Sequence, residues 1–181
     1  RVGNVASFEG GPTLDAADTE AWRAINRAWN AGAPVWRDMT TGDFHTSLAA
    51  GGNLKKLVRP RIALYKGFVP NMDEGWTRWI LEQFGFVYAS IGNRELQDGG
   101  LRQKFDVIVF ADQRAPSILK GHAPKTMPEE YCGGVEEKGA EALRDFAQRG
   151  GTLLFLNHAA EFALAHLGVR VKNALEGLSD R

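Results

Sequence analysis

Two groups of residues in this sequence have the side-chain types that catalysis uses. His158 and Glu161 are spaced as His-x-x-Glu, and His166 follows them closely. Residues at i and i+3 share one face of a helix, so this pair has the spacing of two zinc ligands. A tetrahedral zinc site needs three or four converging ligands. The second group is the lone cysteine, Cys132, which would need a base and an oxyanion hole to act as a nucleophile.

The residues around His158 read as a strand, a tight turn and a helix, the arrangement in which many α/β enzymes hold a nucleophile. The strand TLLFL is followed by Asn157-His158-Ala159-Ala160, and this turn contains no cysteine, serine or threonine. Glu161 in the first turn suits the helix dipole, and His158 suits an N-cap-like role. We therefore predict no catalytic residues and no metal site, and we interpret Cys132 as a partly buried loop residue.

From Arg61 onward, strand-like and helix-like segments alternate. The predicted strands are RIALYKG, FVYAS, VIVF, TLLFLN and VRVK, and the predicted helices are MDEGWTRWILEQFG, VEEKGAEALRDFAQRGG and AEFALAHLG. Such alternation is typical of a parallel sheet covered by helices on both faces. Five strands with short connections predict an α/β fold of the flavodoxin-like doubly wound class, with a mainly parallel five-stranded sheet.

The helix in MDEGWTRWILEQFG has the clearest local signals. Asp73 is predicted as its N-cap, with Glu74 in the first turn, where a negative charge suits the helix dipole. Trp76 and Trp79 recur at helical spacing together with Ile80 and Phe84, so we expect this face to point inward. In VEEKGAEALRDFAQRGG, the inward residues are predicted to be Leu143, Phe146 and Ala147.

Residues 1–58 differ from the remainder and are predicted to form an N-terminal extension, a helix plus short strands, that packs on the core formed by residues 59–181. Its helix, in DTEAWRAINRAWNAG, has Asp18 or Thr19 as N-cap and ends at Gly32. APVWRDM and GDFHTSL are predicted as short strands, and AAGGNLKKLVRP as a loop.

Composition excludes some partners. Lys plus Arg and Asp plus Glu both number 22, so the formal charge is zero and offers no field that would attract nucleic acid. No apolar run is long enough to cross a bilayer, and a single cysteine cannot form an internal disulfide.

The chain begins at Arg1 rather than Met, so we interpret it as part of a longer protein.

Several longer motifs carry a family resemblance. They are MDEGWTRW (Met72–Trp79), KFDVIVFADQ (Lys104–Gln113), ILKG (Ile118–Gly121) and PEEYCGGVEEKGAEALRDFAQRGGTLLFLN. With them the chain resembles the C-terminal region of large bacterial zinc carboxypeptidases of the carboxypeptidase A-like family. In those proteins a class I glutamine amidotransferase-like domain follows the catalytic domain.

The resemblance implies a non-catalytic accessory domain whose partner is the parent's own peptidase domain. Peptide hydrolysis and zinc would belong to that absent N-terminal domain, and no cofactor is expected in this chain. The parent would be secreted or periplasmic. Trp22, Trp29 and Trp36 are expected to bury the extension on the core, and the alternative is an exposed aromatic patch that contacts the peptidase domain.

In doubly wound folds, ligands bind beyond the carboxyl ends of the strands. That edge would carry Tyr65 and Lys66 together with a candidate vestigial pocket formed by Asp112, Gln113, Asn157, His158 and Glu161. Asp112 and Gln113 could instead hydrogen-bond the turn that follows them. Two alternative functions stay open: a small-ligand binding module, and a degenerate amidotransferase-like hydrolase that uses Cys132 or the His158/Glu161 pair.

Overall fold

The computed structural model describes residues 6–8, 11–47 and 53–174 of the chain. Its internal contacts divide the chain into two compact units. The first unit contains the described residues up to Pro60 together with Trp79–Val87. Each unit has its own cluster of buried apolar residues.

The strands of the first unit are β1 (Ala6–Phe8), β2 (Gly11–Leu14), β3 (Val35–Asp38), β4 (Phe44–His45) and β5 (Leu54–Leu57). They form an antiparallel sheet in the order β1-β2-β4-β3-β5. The strands predicted in APVWRDM and GDFHTSL are confirmed as β3 and β4. The loop predicted for AAGGNLKKLVRP is wrong over β5, where two exposed lysines between partly buried leucines hid the strand. The start of that segment, up to Gly52, lies outside the described residues.

Helix α1 (Glu20–Asn30) belongs to the same unit. Thr19 is its backbone N-cap, and the Asp18 carboxylate accepts a hydrogen bond of 2.9 Å from the first N–H of the helix. Both residues predicted for the helix start therefore take part in it. Ile25 is fully buried on the inner face of α1, within the apolar cluster of the unit.

The tryptophans of the N-terminal segment pack within the first unit. The ring of Trp22 lies 5.1 Å from that of Phe44 and 6.2 Å from that of Phe86. Trp29 packs, partly buried, against the apolar cluster, and Trp36 has its indole nitrogen buried. Of the three, only Trp29 therefore packs on the apolar cluster itself, and Trp22 is 37% exposed.

The second unit comprises Arg61–Arg78 and the described residues from Tyr88 onward. Its strands are β6 (Ile62–Tyr65), β7 (Tyr88–Ile91), β8 (Val107–Phe110) and β9 (Thr152–Phe155). All neighbours pair in parallel, in the order β7-β6-β8-β9. The chain runs from β6 outward to β7 and then returns to β8, so the order reverses between β6 and β8. Such a switch point is where doubly wound proteins bind ligands.

Six α-helices follow β6 in the described part of the chain, and the first of them begins in the second unit and continues into the segment from Trp79 that belongs to the first. They are α2 (Met72–Gln83), α3 (Asn93–Asp98), α4 (Leu101–Lys104), α5 (Ala115–Lys120), α6 (Glu136–Gln148) and α7 (Ala159–His166). The protein is thus a mixed α/β protein with a parallel four-stranded sheet, compatible with a doubly wound fold. The core includes Phe110, whose ring stacks at 4.7 Å on that of Phe155 and at 6.2 Å on that of Phe162.

The inner face of α6 matches its prediction in two of three positions. Leu143 and Phe146 are fully buried, as predicted. Ala147 is exposed, and Ala140 is buried in its place. Positions 140 and 147 are two turns apart and share the face of Leu143, so the predicted face is right and the difference lies along the helix: Ala147 belongs to the last turn of α6, where that face is no longer covered.

Helix α2 departs from its prediction at its start and along its apolar face. The Asn71 side chain, not Asp73, caps it, since Oδ1 of Asn71 accepts hydrogen bonds from the Asp73 N–H (3.0 Å) and the Glu74 N–H (3.3 Å). Trp76 and Trp79 are 57% and 51% exposed, so the prediction that they point inward is wrong. Helical spacing shows that residues share a face, and it does not show what covers that face.

The predicted fifth strand, VRVK, is not a strand. Residues 169–172 form no ladder with any described strand, and Val169 and Val171 are 43% and 66% exposed. The alternating valines gave the segment a strand-like pattern, but a strand also needs a hydrogen-bonded neighbour. In the described part of the second unit, β9 therefore lies at the edge of the sheet.

Candidate functional site

The turn between β9 and α7 holds two of the residues predicted for a strand-end site. Asn157 has a φ of +47°, in the left-handed region that asparagine tolerates better than most residues. His158 is the backbone N-cap of α7, although its side chain makes no capping hydrogen bond. The predicted strand-to-helix turn is confirmed, and His158 occupies the position before α7 without capping the helix through its side chain.

Asp112, just beyond the end of β8, links this turn to the neighbouring strand. Its Oδ2 accepts a hydrogen bond of 2.6 Å from Asn157 Nδ2, and its Oδ1 accepts one of 3.1 Å from the His158 backbone N–H. Oδ1 also lies 3.0 Å from His158 Nδ1. The Asn157 amide, and after it the His158 ring and N–H, hold the pKa of Asp112 below its usual value against the opposing effect of burial.

An Asp–His contact of this kind orients the imidazole in hydrolase triads, which also need a nucleophile beside the other ring nitrogen. Here the residue with the left-handed backbone at the turn is Asn157, whose side-chain nitrogen already donates to Asp112. A carboxamide held in this way cannot attack a carbonyl carbon. The hydrogen bonds of the cluster fasten the turn after β9 to the end of β8.

The other two predicted residues lie apart from this cluster. Glu161 is exposed in the first turn of α7. Gln113 lines a separate cavity with Tyr65 and Lys66. The structure therefore brings together Asp112, Asn157 and His158, and it does not join all five predicted residues in one pocket. Asp112 bonds the turn of the next strand rather than the turn that follows it in the chain.

The possible zinc ligands do not converge. The ring of His166 lies 5.1 Å from that of Phe162, on the helix that carries Glu161. Among the residues that the structure describes, no group of three or more His, Cys, Asp and Glu side chains is placed to hold a metal ion. The His-x-x-Glu spacing alone provides two ligands at most, fewer than a zinc site uses.

Cys132 lies in the loop before α6, beside an open groove of about 1200 Å³ formed by α5, the loop after it and the first turn of α6. Its backbone forms an isolated bridge with that of His122. The thiol Sγ lies 3.3 Å from the Ala123 carbonyl oxygen and 3.5 Å from the Met127 carbonyl oxygen. Both contacts are acceptors, whereas an attacking thiolate is stabilised by donors.

A second, smaller cavity of about 330 Å³ lies at the carboxyl ends of β6 and β8, at the switch point of the sheet. Tyr65 is part of its wall, and burial raises the pKa of this phenol above its usual value. The Tyr65 hydroxyl donates to Asn93 Oδ1 at 2.7 Å, and Asn93 Nδ2 donates to the Gly133 carbonyl oxygen at 3.1 Å. This wall is therefore held by a chain of buried hydrogen bonds.

Glu74 lines the same cavity, and no sequence pattern indicated that it is buried. Its side chain is only 6% exposed, and its Oε1 has no hydrogen-bond partner among the described residues. Oε2 lies 3.7 Å from Arg78 Nη2, which is an ion-pair distance too long for a hydrogen bond. A glutamate in the first turn of a helix is common at exposed positions, so only the structure distinguishes this one.

Comparison with family models, with curated proteins and with solved structures finds no significant match to the chain. Within the described residues, no helix is long and apolar enough to cross a membrane.

Proposed function

We propose that this chain is a non-catalytic accessory domain of a zinc metallocarboxypeptidase. Its second unit would have the class I glutamine amidotransferase-like form of the flavodoxin-like fold. Its partner would be the parent's own peptidase domain, which would hold the zinc and hydrolyse the peptide. The parent would be secreted or periplasmic.

The strand order supports the finer part of this fold proposal. Counted along the chain, the order β7-β6-β8-β9 is 2-1-3-4. The flavodoxin-like order is 2-1-3-4-5, so a fifth parallel strand would pair with β9. Leu154 of β9 is 46% exposed and Leu156 just after it is 36% exposed, as expected for an edge that another element could cover.

The observation that carries the non-catalytic part is Asn157 at the turn after β9. This residue has the left-handed backbone typical of a nucleophile elbow, and its side chain carries no reactive oxygen or sulfur. The lone thiol, Cys132, lies in a different loop against two carbonyl oxygens. The turn after β9 therefore has the shape of an elbow and carries no side chain that could perform acyl transfer.

An interaction role is supported by the surface of helix α2. Met72, Trp76, Trp79 and Ile80 are each at least half exposed along this one helix. Clustered large apolar side chains at a surface mark protein contacts more often than single ones do, and tryptophan is enriched among the residues that anchor such contacts.

Sequencing the transcript that encodes this chain tests the assignment to a peptidase. We expect the same reading frame to encode, upstream, a domain with a His-x-x-Glu pair and a distant third histidine. A frame that encodes no such domain would contradict the proposal.

Chemical labelling tests the non-catalytic part separately. The folded chain is incubated with 6-diazo-5-oxo-L-norleucine, a glutamine analogue that alkylates the nucleophilic cysteine of amidotransferases, and its mass is measured. We expect no adduct, whereas iodoacetamide applied to the unfolded chain labels Cys132 as a control. A stoichiometric adduct on Cys132 of the folded chain would favour the degenerate hydrolase instead.

A further inference from the structure

The cavity between the ends of β6 and β8 contains one polar atom that its surroundings leave without a partner. Oε1 of Glu74 is buried and accepts no hydrogen bond from any described residue. A buried carboxylate oxygen is strongly disfavoured unless a donor or a positive charge compensates it. Arg78, at 3.7 Å from Oε2, is 40% exposed and reaches the other oxygen only at ion-pair distance. Glu74 is one of the residues that line the cavity, so a ligand bound there can supply the missing donor.

From this geometry we propose that the cavity binds a small primary amine, whose ammonium group donates to Oε1 of Glu74. An ionised carboxylate only accepts hydrogen bonds, and an ammonium group carries three donors and a positive charge. The volume of about 330 Å³ lies at the lower end of the range for small-molecule pockets. It suits a ligand about as large as a small amino acid.

The start of α2 disfavours an anionic group beside Glu74. The N-terminus of a helix commonly binds anions through its free N–H groups. Here the Asn71 side chain already accepts hydrogen bonds from the Asp73 and Glu74 N–H groups. An anion in the cavity would therefore find those donors occupied and would face the carboxylate of Glu74. A cation meets neither obstacle at the start of α2, and its attraction to Glu74 is opposed only by Lys66 among the charged residues that line the cavity.

The remaining polar groups of the wall decide which amines fit best. Gln113 offers an amide that both donates and accepts, and Lys66, an exposed residue of the wall, brings a positive charge. A carboxylate on the ligand would have Lys66 as its partner. An amino acid and a plain amine share the ammonium group that the site recognises, and the experiment below separates them.

Thermal unfolding of the chain with added small molecules tests the proposal, because a ligand that binds only the folded state raises the unfolding midpoint. The probes are glycine, L-alanine and ethanolamine, each at about 10 mM. At this concentration a ligand with a Kd of about 1 mM or lower shifts the unfolding midpoint measurably. Glycerol and sodium propionate are the matched molecules without an amine. We expect a higher midpoint with one or more of the amines and none with the other two. A larger shift with the amino acids than with ethanolamine would assign the carboxylate to Lys66.

Two matched glutamate variants test whether the amine binds at Glu74. Glu74→Gln keeps the shape and removes the charge, and Glu161→Gln makes the same change at the same position of α7, where the glutamate is exposed. We expect amine affinity to fall at least about tenfold in Glu74→Gln, the loss expected for a charged hydrogen bond, and to be unchanged in Glu161→Gln. Circular dichroism establishes that both variants fold.

A measurement on the wild-type chain covers the case in which Glu74→Gln does not fold. In protein with ¹³C-labelled glutamate, the Cδ resonance of Glu74 should move as the amine is added, and that of Glu161 should not. If no amine raises the midpoint, or if Glu74→Gln responds as wild type does, or if the Glu74 resonance stays fixed, the amine site is disproved. A buried water would then be the partner of Oε1.

Discussion

The carboxyl edge of the parallel sheet contains two polar clusters that differ in how fully they are bonded. After β8 and β9, Asp112 accepts hydrogen bonds from Asn157 and His158, and the cluster is open to solvent. After β6, Glu74 is almost completely buried and one of its oxygens is unpaired. In the first cluster, neighbouring donors and solvent provide hydrogen-bond partners for both oxygens of Asp112. The second is complete only with a further donor.

The comparison shows that residue types alone are a poor guide to a binding site. The cluster at β8 and β9 has the residues that catalysis uses, an aspartate and a histidine in contact, and its hydrogen bonds are explained by the turn that they hold. The cavity at β6 has an ordinary first-turn glutamate. Its burial without a partner, rather than its type, makes it the stronger candidate for ligand binding.

The largest expected change in stability is at the cluster around Asp112. Asp112→Ala removes the acceptor of the Asn157 amide and of the His158 backbone N–H, together with the contact to the His158 ring, so we expect the free energy of unfolding to fall by about 2 kcal/mol. Urea denaturation measures the change. As a control, Asp112→Asn keeps one acceptor oxygen and should lose less. An Asp112→Ala chain as stable as wild type would mean that the cluster does not hold the turn.

A smaller loss is expected at the turn itself. Asn157→Ala places an alanine at a φ of +47° and removes the bond to Asp112, so we expect a loss of about 1.5 kcal/mol. Asn157→Gly loses the same bond without the backbone strain. Urea denaturation of both variants separates the two contributions, and equal losses would show that backbone strain is not part of the effect.

Glu74 should respond in the opposite direction. Without ligand, Glu74→Gln replaces a buried, half-paired carboxylate by a neutral amide of the same shape, so we expect the free energy of unfolding to rise by about 0.5 kcal/mol. The matched variant Glu161→Gln, at an exposed position, should stay within about 0.5 kcal/mol of wild type in either direction. A clear loss of stability in ligand-free Glu74→Gln would show that protein groups already satisfy the carboxylate.

The smallest effect is a dependence on pH. The pKa of Asp112 is lowered in the folded state, so its contribution is present above the unfolded value of about 3.9. That contribution is lost as the pH falls through the folded pKa, because protonation then removes the bonds to Asn157 and His158. Denaturation of wild type and Asp112→Asn from neutral pH down to below the unfolded pKa measures it. The difference in stability between the two chains should shrink with acid, and a constant difference would contradict the assignment.

Three segments show which strands of this fold the sequence could predict. VIVF was predicted as a buried strand because a continuous β-branched and aromatic run has few alternatives, and the structure places it in the middle of the sheet as β8. Leu-Lys-Lys-Leu was missed as β5 because its strand character comes from pairing with β3. VRVK has the pattern of a strand and lacks a described neighbour. VIVF also pairs with distant strands, but its composition alone indicated a buried strand, whereas the other two segments could be assigned only by knowing whether a neighbour pairs with them.

For the candidate site too, some features could be predicted from the sequence and others could not. The turn after TLLFL and its lack of a nucleophile could be predicted, because both depend on adjacent residues. The bond between Asp112 and His158 joins residues far apart in the chain, and helical spacing gave Trp76 and Trp79 a shared face without showing that it is exposed. Neither result could follow from spacing, since both depend on which elements pack together.

By itself, the sequence determined the chemistry available at each position. It placed an asparagine where an elbow would need a nucleophile. It also gave the whole chain equal numbers of acidic and basic residues. Only the tertiary structure decided which of these groups meet and which lose contact with water. Glu74 illustrates the physical reason: the cost of an unpaired carboxylate arises only when distant segments exclude solvent from it, and no local pattern contains that information.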